Sequence, residues 1–227
     1  LPDFIDAPPF HAYYMTVSGH LNYNFFGNSM AYKNRDLVAD LPYSTAVKAY
    51  LAGQIELDKA MAYLLNQLEQ RDLASNTLIV LSADHYPYGL KHSEIEELAG
   101  HPVDENFELY RNALIIYTKD MPPTTIDAPA SSLDIIPTLS NLMGLPYDSR
   151  LLMGRVLFSD SSPLVIFNNR SFISDKGKYN AKTHLFDRNY GEKIDDDYIS
   201  KMNRIINAKF QYSAQMLDMD YYAKVVR

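Results

Sequence analysis

The run Thr77-Leu78-Ile79-Val80-Leu81-Ser82-Ala83 passes without a break into Asp84-His85-Tyr86-Pro87-Tyr88-Gly89, and this junction constrains the fold more than any other stretch of the chain. A short, continuous apolar run rich in β-branched residues describes a strand covered on both faces, which belongs inside a layered α/β arrangement. At its end a carboxylate and an imidazole stand side by side. Neighbouring strand residues point to opposite faces, so Asp84 and His85 can share one ligand only where the backbone bends. Pro87 and Gly89 supply that bend. An anionic oxygen beside a borderline nitrogen suits a divalent ion such as Mn²⁺, Zn²⁺ or Mg²⁺. The same two residues could instead cap the turn after the strand, and the local sequence leaves both readings open.

The chain has 227 residues, 47% of them hydrophobic, enough for a sizeable core in one large domain or most of one. The formal net charge of −7, with no basic cluster, argues against a nucleic-acid surface. An anionic substrate would need a metal to offset that field locally. The absence of cysteine removes disulfides, thiolate metal sites and thiol nucleophiles, and leaves the compartment open. No apolar stretch reaches the roughly 18 residues of a membrane span, and Leu1-Pro2-Asp3-Phe4 does not resemble a signal peptide. The chain opens in mid-sequence without Met, so it is expected to be part of something longer.

Along the chain, His11 to Val17 reads as a short strand leading to Ser18-Gly19-His20, a strand followed by a histidine as at His85. The polar, Asn-rich stretch from Asn22 to Asp40 reads as a surface loop. Ser44 is placed to cap a helix continuing to about Arg71, with Val47, Tyr50, Leu51, Ile55, Met61, Leu64, Leu65 and Leu68 at helical spacing, packed against a sheet. A second covered strand is predicted at Ala113 to Thr118. Ser131 to Gly144 reads as a short helix closed by its glycine. Leu164 to Phe167, Ser171 to Ser174 and the turn at Lys176-Gly177-Lys178 predict a small antiparallel sheet. A last helix follows Asp195-Asp196-Asp197, with Ile199, Met202, Ile206, Phe210 and Leu217 on its packed stripe.

Taken in order, Ser18-Gly19-His20, the helix holding Asp58, Asn76 to Val80 leading into Asp84-His85, the Ser131 to Gly144 helix and Met153-Gly154-Arg155 resemble the sulfatase-like branch of the alkaline phosphatase superfamily. Within that branch the similarity is greatest to phosphoglycerol transferases of the lipoteichoic acid synthase type, over residues 8 to about 187. The resemblance implies an α/β fold, part of an α/β/α sandwich with a small C-terminal antiparallel sheet and terminal helix. Residues 1–158 would form the C-terminal part of the catalytic core, and 159–227 the sheet and helix packed on it. It also implies that Asp84 and His85 ligate a single catalytic metal, Mn²⁺ first and Mg²⁺ or Zn²⁺ as alternatives, and that His20 contacts the substrate phosphate, with Tyr23 and Asn24 nearby.

Family members carry an acidic metal ligand and a threonine nucleophile upstream of these motifs, and neither can be assigned here. The implied function is therefore that of a piece of a metal-dependent phosphoglycerol transferase. Such an enzyme acts on an anionic, phosphatidylglycerol-type lipid through a phospho-threonine, and the chain alone is expected to be inactive and to lack a retained metal. A phosphodiesterase or sulfatase of the same fold, and a non-catalytic binding module, are the alternatives. The resemblance places the parent on the outer face of the cell membrane, anchored by spans outside this chain, and a dimer could cover an exposed sheet edge. His11, His92, His101 and His184 read as surface residues; Arg111 and Arg155 could steer phosphate or pair with carboxylates, and the many tyrosines read as packing and surface.

Overall fold

The computed structural model describes residue 5 and residues 9–225, so Leu1-Pro2-Asp3-Phe4 lie outside the described residues. The chain divides into two compact units, Leu1–Pro122 and Pro123–Arg227.

The first unit is organised by one long helix. Its elements are α1 (Ser29–Lys33), α2 (Thr45–Glu69), β1 (Ile79–Ser82), α3 (His92–Ala99) and β2 (Leu114–Tyr117), with short 3₁₀ turns between them. Helix α2 starts where the sequence predicts, because the Ser44 hydroxyl accepts from the Val47 amide at 3.5 Å. Its two ends serve two apolar clusters. Ala49 and Ala52 pack with Ala31 and Val38, backed by Phe25, Leu51 and Ile55. Leu68 packs with Ile5 and Ala74, backed by Leu64, Leu73 and Ile79, so the helix reaches strand β1 at its C-terminal end.

The Asn-rich stretch departs from the expected surface loop. Asn28 caps α1 by accepting from the Met30 and Ala31 amides, both at 3.0 Å. Asn34 is 1% exposed, and its amide donates to the Met30 and Ala52 carbonyls and to Glu56, while its oxygen accepts from Lys59. A buried side-chain amide is tolerable only when its donors and acceptor are paired, and here they tie α1 to α2.

Strands β1 and β2 pair antiparallel, from Ile79 opposite Tyr117 to Ser82 opposite Leu114. The expected cover on both faces is not found: Ile115 is 52% exposed. Among the described residues this sheet has two strands, too few to bury both sides. His11 to Val17 is likewise assigned to no strand, and Tyr13, Met15 and Val17 are exposed.

In the second unit, a 3₁₀ turn (Ser132–Asp134) runs into α4 (Ile135–Leu142), and the chain turns off at Gly144 through Gly144 N–H to Asn141 O at 3.1 Å. Buried Asp134 accepts from the Ser131 amide at 2.9 Å and from the Arg155 amide at 2.8 Å, fastening the Met153-Gly154-Arg155 segment to the start of this helix. The Arg155 guanidinium bonds the Ser161 and Pro129 carbonyls, which makes it part of the loop framework. The predicted antiparallel sheet is present with four strands, β3 (Leu164–Ile166), β4 (Phe172–Ser174), β5 (Gly177–Asn180) and β6 (Leu185–Arg188), joined in sequence order. Helix α5 (Tyr198–Asp218) lays Ile199, Met202, Ile206 and Phe210 on Phe172, Tyr179 and Phe186, and α6 (Tyr221–Val225) follows. Leu217 departs from the expected stripe: it is 81% exposed, beyond the reach of the short sheet.

Asp134→Ala strips a buried acceptor from two backbone N–H groups. It is expected to destabilise the chain by about 2–4 kcal/mol, since each buried unpaired group costs about 1–3 kcal/mol. Urea denaturation followed by circular dichroism checks this, and a change within error of zero would show that water replaces the carboxylate.

Candidate metal centre

Strand β1 stops at Ser82, and the chain then bends through two backbone bonds, Tyr88 N–H to Tyr86 O at 2.7 Å and Leu90 N–H to Pro87 O at 2.9 Å. The backbone also bends at Asp84 and His85 themselves, where the adjacent side chains come together. His85 Nε2 stands 3.5 Å from Asp84 Oδ1, with the carboxylate side chain 79% and the imidazole side chain 38% exposed. His85 Nδ1 lies 2.8 Å from the Tyr86 carbonyl oxygen. A carbonyl only accepts, so Nδ1 carries a proton, and Nε2 is the nitrogen that faces the carboxylate. A hydrogen bond on the far ring nitrogen is the usual way a metal-ligating histidine is oriented. An oxygen and a nitrogen at this separation can both reach one divalent ion at the usual bond lengths of about 2.0–2.2 Å. Among the described residues no group of three or more His, Cys, Asp or Glu side chains could hold a metal, so the pair offers two ligand positions.

His20 is exposed and sits between two places where its segment is pressed against neighbours. On one side, Ser18 O lies over Gly53 of α2, where a Cβ would come within 2.7 Å of it. On the other, Gly89 of the turn after Asp84 and His85 lies against Leu21 and Tyr23, where a Cβ would fall 1.8 Å from Leu21 Cδ2 and 2.9 Å from Tyr23 Cε2. Only glycine permits the backbone approach at Gly53, and at Gly89 any side chain would have to displace Leu21 and the Tyr23 ring. His20 Nδ1 is 3.4 Å from Leu21 O, and the His20 carbonyl accepts from Asn28 Nδ2 at 3.3 Å. The structure thus joins Asp84 to His85 directly and brings the segment carrying His20 against their turn. Asn24 is engaged elsewhere: its side-chain oxygen accepts from the Phe26 and Gly27 amides at 2.9 and 2.6 Å.

Aromatic rings surround the turn, a feature the sequence reading assigned to general packing and surface. The His85 ring centroid is 4.6 Å from that of Tyr88, and Tyr86 meets Tyr88 and Tyr110 edge to face at 6.4 and 5.6 Å. Tyr23 packs edge to face on Tyr50 of α2 at 5.2 Å. The alternation Tyr86-Pro87-Tyr88 beside a candidate ligand is the available signal for these rings, Tyr23 carries one only through its place beside His20 in the resemblance, and Tyr50 and Tyr110 carry none. Burial, joined by the negative charge of Asp84 and the neighbouring Tyr50 and Tyr88, pushes the Tyr23 phenol up to about 12. The remaining histidines engage local partners: His92 lies 3.3 Å from Glu96, His101 lies 2.6 Å from Glu108, and His184 Nδ1 lies 3.2 Å from the Tyr179 hydroxyl. The Glu108 carboxylate raises the His101 pKa above its ordinary value.

A model of the sulfatase family matches residues 3–145, more than half of the chain, and the chain belongs to that family. Its mixed helix and strand architecture is consistent with the α/β fold of such domains. Among curated proteins, the chain is 27% identical over 197 residues to the lipoteichoic acid synthase-like YvgJ of Bacillus subtilis, covering 83% of this chain and 31% of the relative. It is 23% identical over 226 residues to lipoteichoic acid synthase 2 of the same organism, covering 93% of this chain and 33% of the relative. To the lipoteichoic acid synthase of Staphylococcus saprophyticus it is 24% identical over 194 residues, covering 83% and 29%. The chain therefore spans about a third of the length of these relatives. Among the described residues no helix is long and apolar enough to cross a membrane.

Tyr23 sets a pH dependence of known sign. In the unfolded chain the phenol ionises near its ordinary 10, whereas in the folded chain it holds its proton up to about 12. Its contribution to stability is therefore complete below pH 10 and is lost as pH rises from 10 to 12. Urea midpoints measured across that window should fall more steeply in the wild-type chain than in Tyr23→Phe; parallel curves would place the phenol in water.

Proposed function

We propose that this chain supplies part of the active site of a metal-dependent phosphoglycerol transferase. In this reading Asp84 and His85 hold one divalent cation, Mn²⁺ first among the candidates. The single observation that carries the reading is the Asp84–His85 pair itself, with Nε2 and Oδ1 3.5 Å apart and the opposite ring nitrogen fixed on the Tyr86 carbonyl. The sulfatase-family match and the names of the relatives support the reaction class.

When bound, the ion supplies Lewis-acid neutralisation of phosphoryl oxygens and activation of a hydroxyl nucleophile. The residues of this chain do the rest of what it can contribute. Asp84 offsets the ion's charge, and His85 is oriented by its own backbone. His20 donates to a phosphoryl oxygen of the substrate or to the leaving oxygen. The nucleophile in this proposal is a threonine hydroxyl from a part of the protein not represented in these 227 residues, together with the remaining ligands. Its oxygen forms a bond to phosphorus as the glycerolipid oxygen leaves, and an acceptor alcohol then takes the phosphoglycerol group. The substrate class is an anionic glycerophospholipid presented at the outer face of a membrane. The net charge of −7 makes local neutralisation by a metal a requirement for such a substrate.

In the longer protein, Asp84→Ala and His85→Ala are each expected to lower Mn²⁺-dependent release of diacylglycerol from phosphatidylglycerol vesicles at least about a hundredfold. That exceeds the 10–100-fold typical of residues that merely support a ligand. The isolated chain is expected to give no turnover. Transfer that persists in EDTA, or robust turnover by the isolated chain, would contradict the proposal, and release of glycerol phosphate to water in place of an alcohol would assign a hydrolase.

A further inference from the structure

Residues Ser18 to Tyr23 are held at three points, and the third joins them to the turn after β1. Tyr50 and Gly53 lie three residues apart on α2 and so share a helix face. Ser18 O rests on Gly53 and the Tyr23 ring rests on Tyr50, leaving His20 between two anchors on the same turn of helix. The Tyr23 ring also meets Gly89, so close that a Cβ there would stand 2.9 and 3.1 Å from two of its ring carbons. One side chain, 9% exposed, therefore touches the helix that seats His20 and the turn that carries Asp84 and His85. Because the phenol is held neutral, its burial brings no second negative charge toward Asp84.

We propose that Tyr23 is a positioning residue: wedged between Tyr50 and Gly89, its ring sets the distance between the His20 imidazole and the Asp84–His85 pair, so that all three open on one phosphate ester. The proposal rests on the reading of Asp84 and His85 as metal ligands. It differs from a general structural role in that the ring's shape matters and the hydroxyl does not.

Substoichiometric Mn²⁺, added to the full 227-residue chain labelled at its histidine rings, tests this through distance-dependent paramagnetic broadening, which registers the transient contact that two ligands give without a retained metal. In the wild-type chain both His85 and His20 resonances should broaden. In Tyr23→Ala the His85 broadening should remain and the His20 broadening should be lost, while Tyr23→Phe should keep both. Gly89→Ala gives the same reading by pushing Leu21 and Tyr23 off the turn, should Tyr23→Ala not fold. His20 broadening in Tyr23→Ala and Gly89→Ala equal to wild type would overturn the positioning role and leave the metal reading standing. No broadening of His85 in the wild-type chain would overturn the metal reading and this proposal with it.

Discussion

The carbonyl of Tyr86 accepts two hydrogen bonds at the end of strand β1, one from the Tyr88 amide at 2.7 Å and one from His85 Nδ1 at 2.8 Å. The first turns the chain at Pro87, just after the bend at Asp84 and His85; the second puts a proton on Nδ1 of the imidazole. Without the bend, Asp84 and His85 would project from opposite faces of a strand and could not serve one ligand. Without the tautomer, Nε2 would carry a proton where a lone pair is needed. One backbone oxygen thus orients His85 beside Asp84, the pair proposed to hold the cation, and the aromatic rings of Tyr86 and Tyr88 pack around it.

The rest of the first unit presents a second segment to that pair. Helix α2 provides a rigid face, capped by Ser44 and packed at both ends, on which the stretch from Ser18 to Tyr23 lies. Glycine is required where backbones meet, at Gly53 under Ser18 O, and at Gly89 it leaves room for the Leu21 and Tyr23 side chains to lie against the turn. The second unit places its polar framework differently. Asp134 and Arg155, from motifs of the family pattern, bond to backbone groups and to each other's segments, which makes them architectural.

The features legible in the sequence were those with a strong local cause. Ser44 before a helical apolar period, the apolar run into Asp84-His85, and short strands separated by Lys176-Gly177-Lys178 each announce their own geometry. Features decided by distant partners were not legible. Asn28 and Asn34 read as loop residues because asparagine favours turns, yet one is a cap and the other a buried amide bonded across to α2. The apolar content of Ala113 to Thr118 predicted two covered faces, but cover depends on neighbouring strands, and a two-stranded sheet leaves Ile115 half in water. Leu217 keeps the helical period of α5 but lies past the end of the sheet that buries Ile206. For the site, the ligand pair was visible as a motif, whereas the roles of Tyr23, Tyr50 and Gly89 exist only through contacts between segments far apart in the chain.

The central claim, that the Tyr86 carbonyl presets His85 to share a cation with Asp84, is most directly tested by long-range ¹H–¹⁵N spectroscopy of the His85 ring in the presence and absence of Zn²⁺ as a diamagnetic probe. The account predicts a proton on Nδ1 and a bare Nε2 before the metal is added, followed by a shift of Nε2 that is absent in Asp84→Ala. A proton on Nε2 at neutral pH, with no response of either ring nitrogen to Zn²⁺, would contradict it.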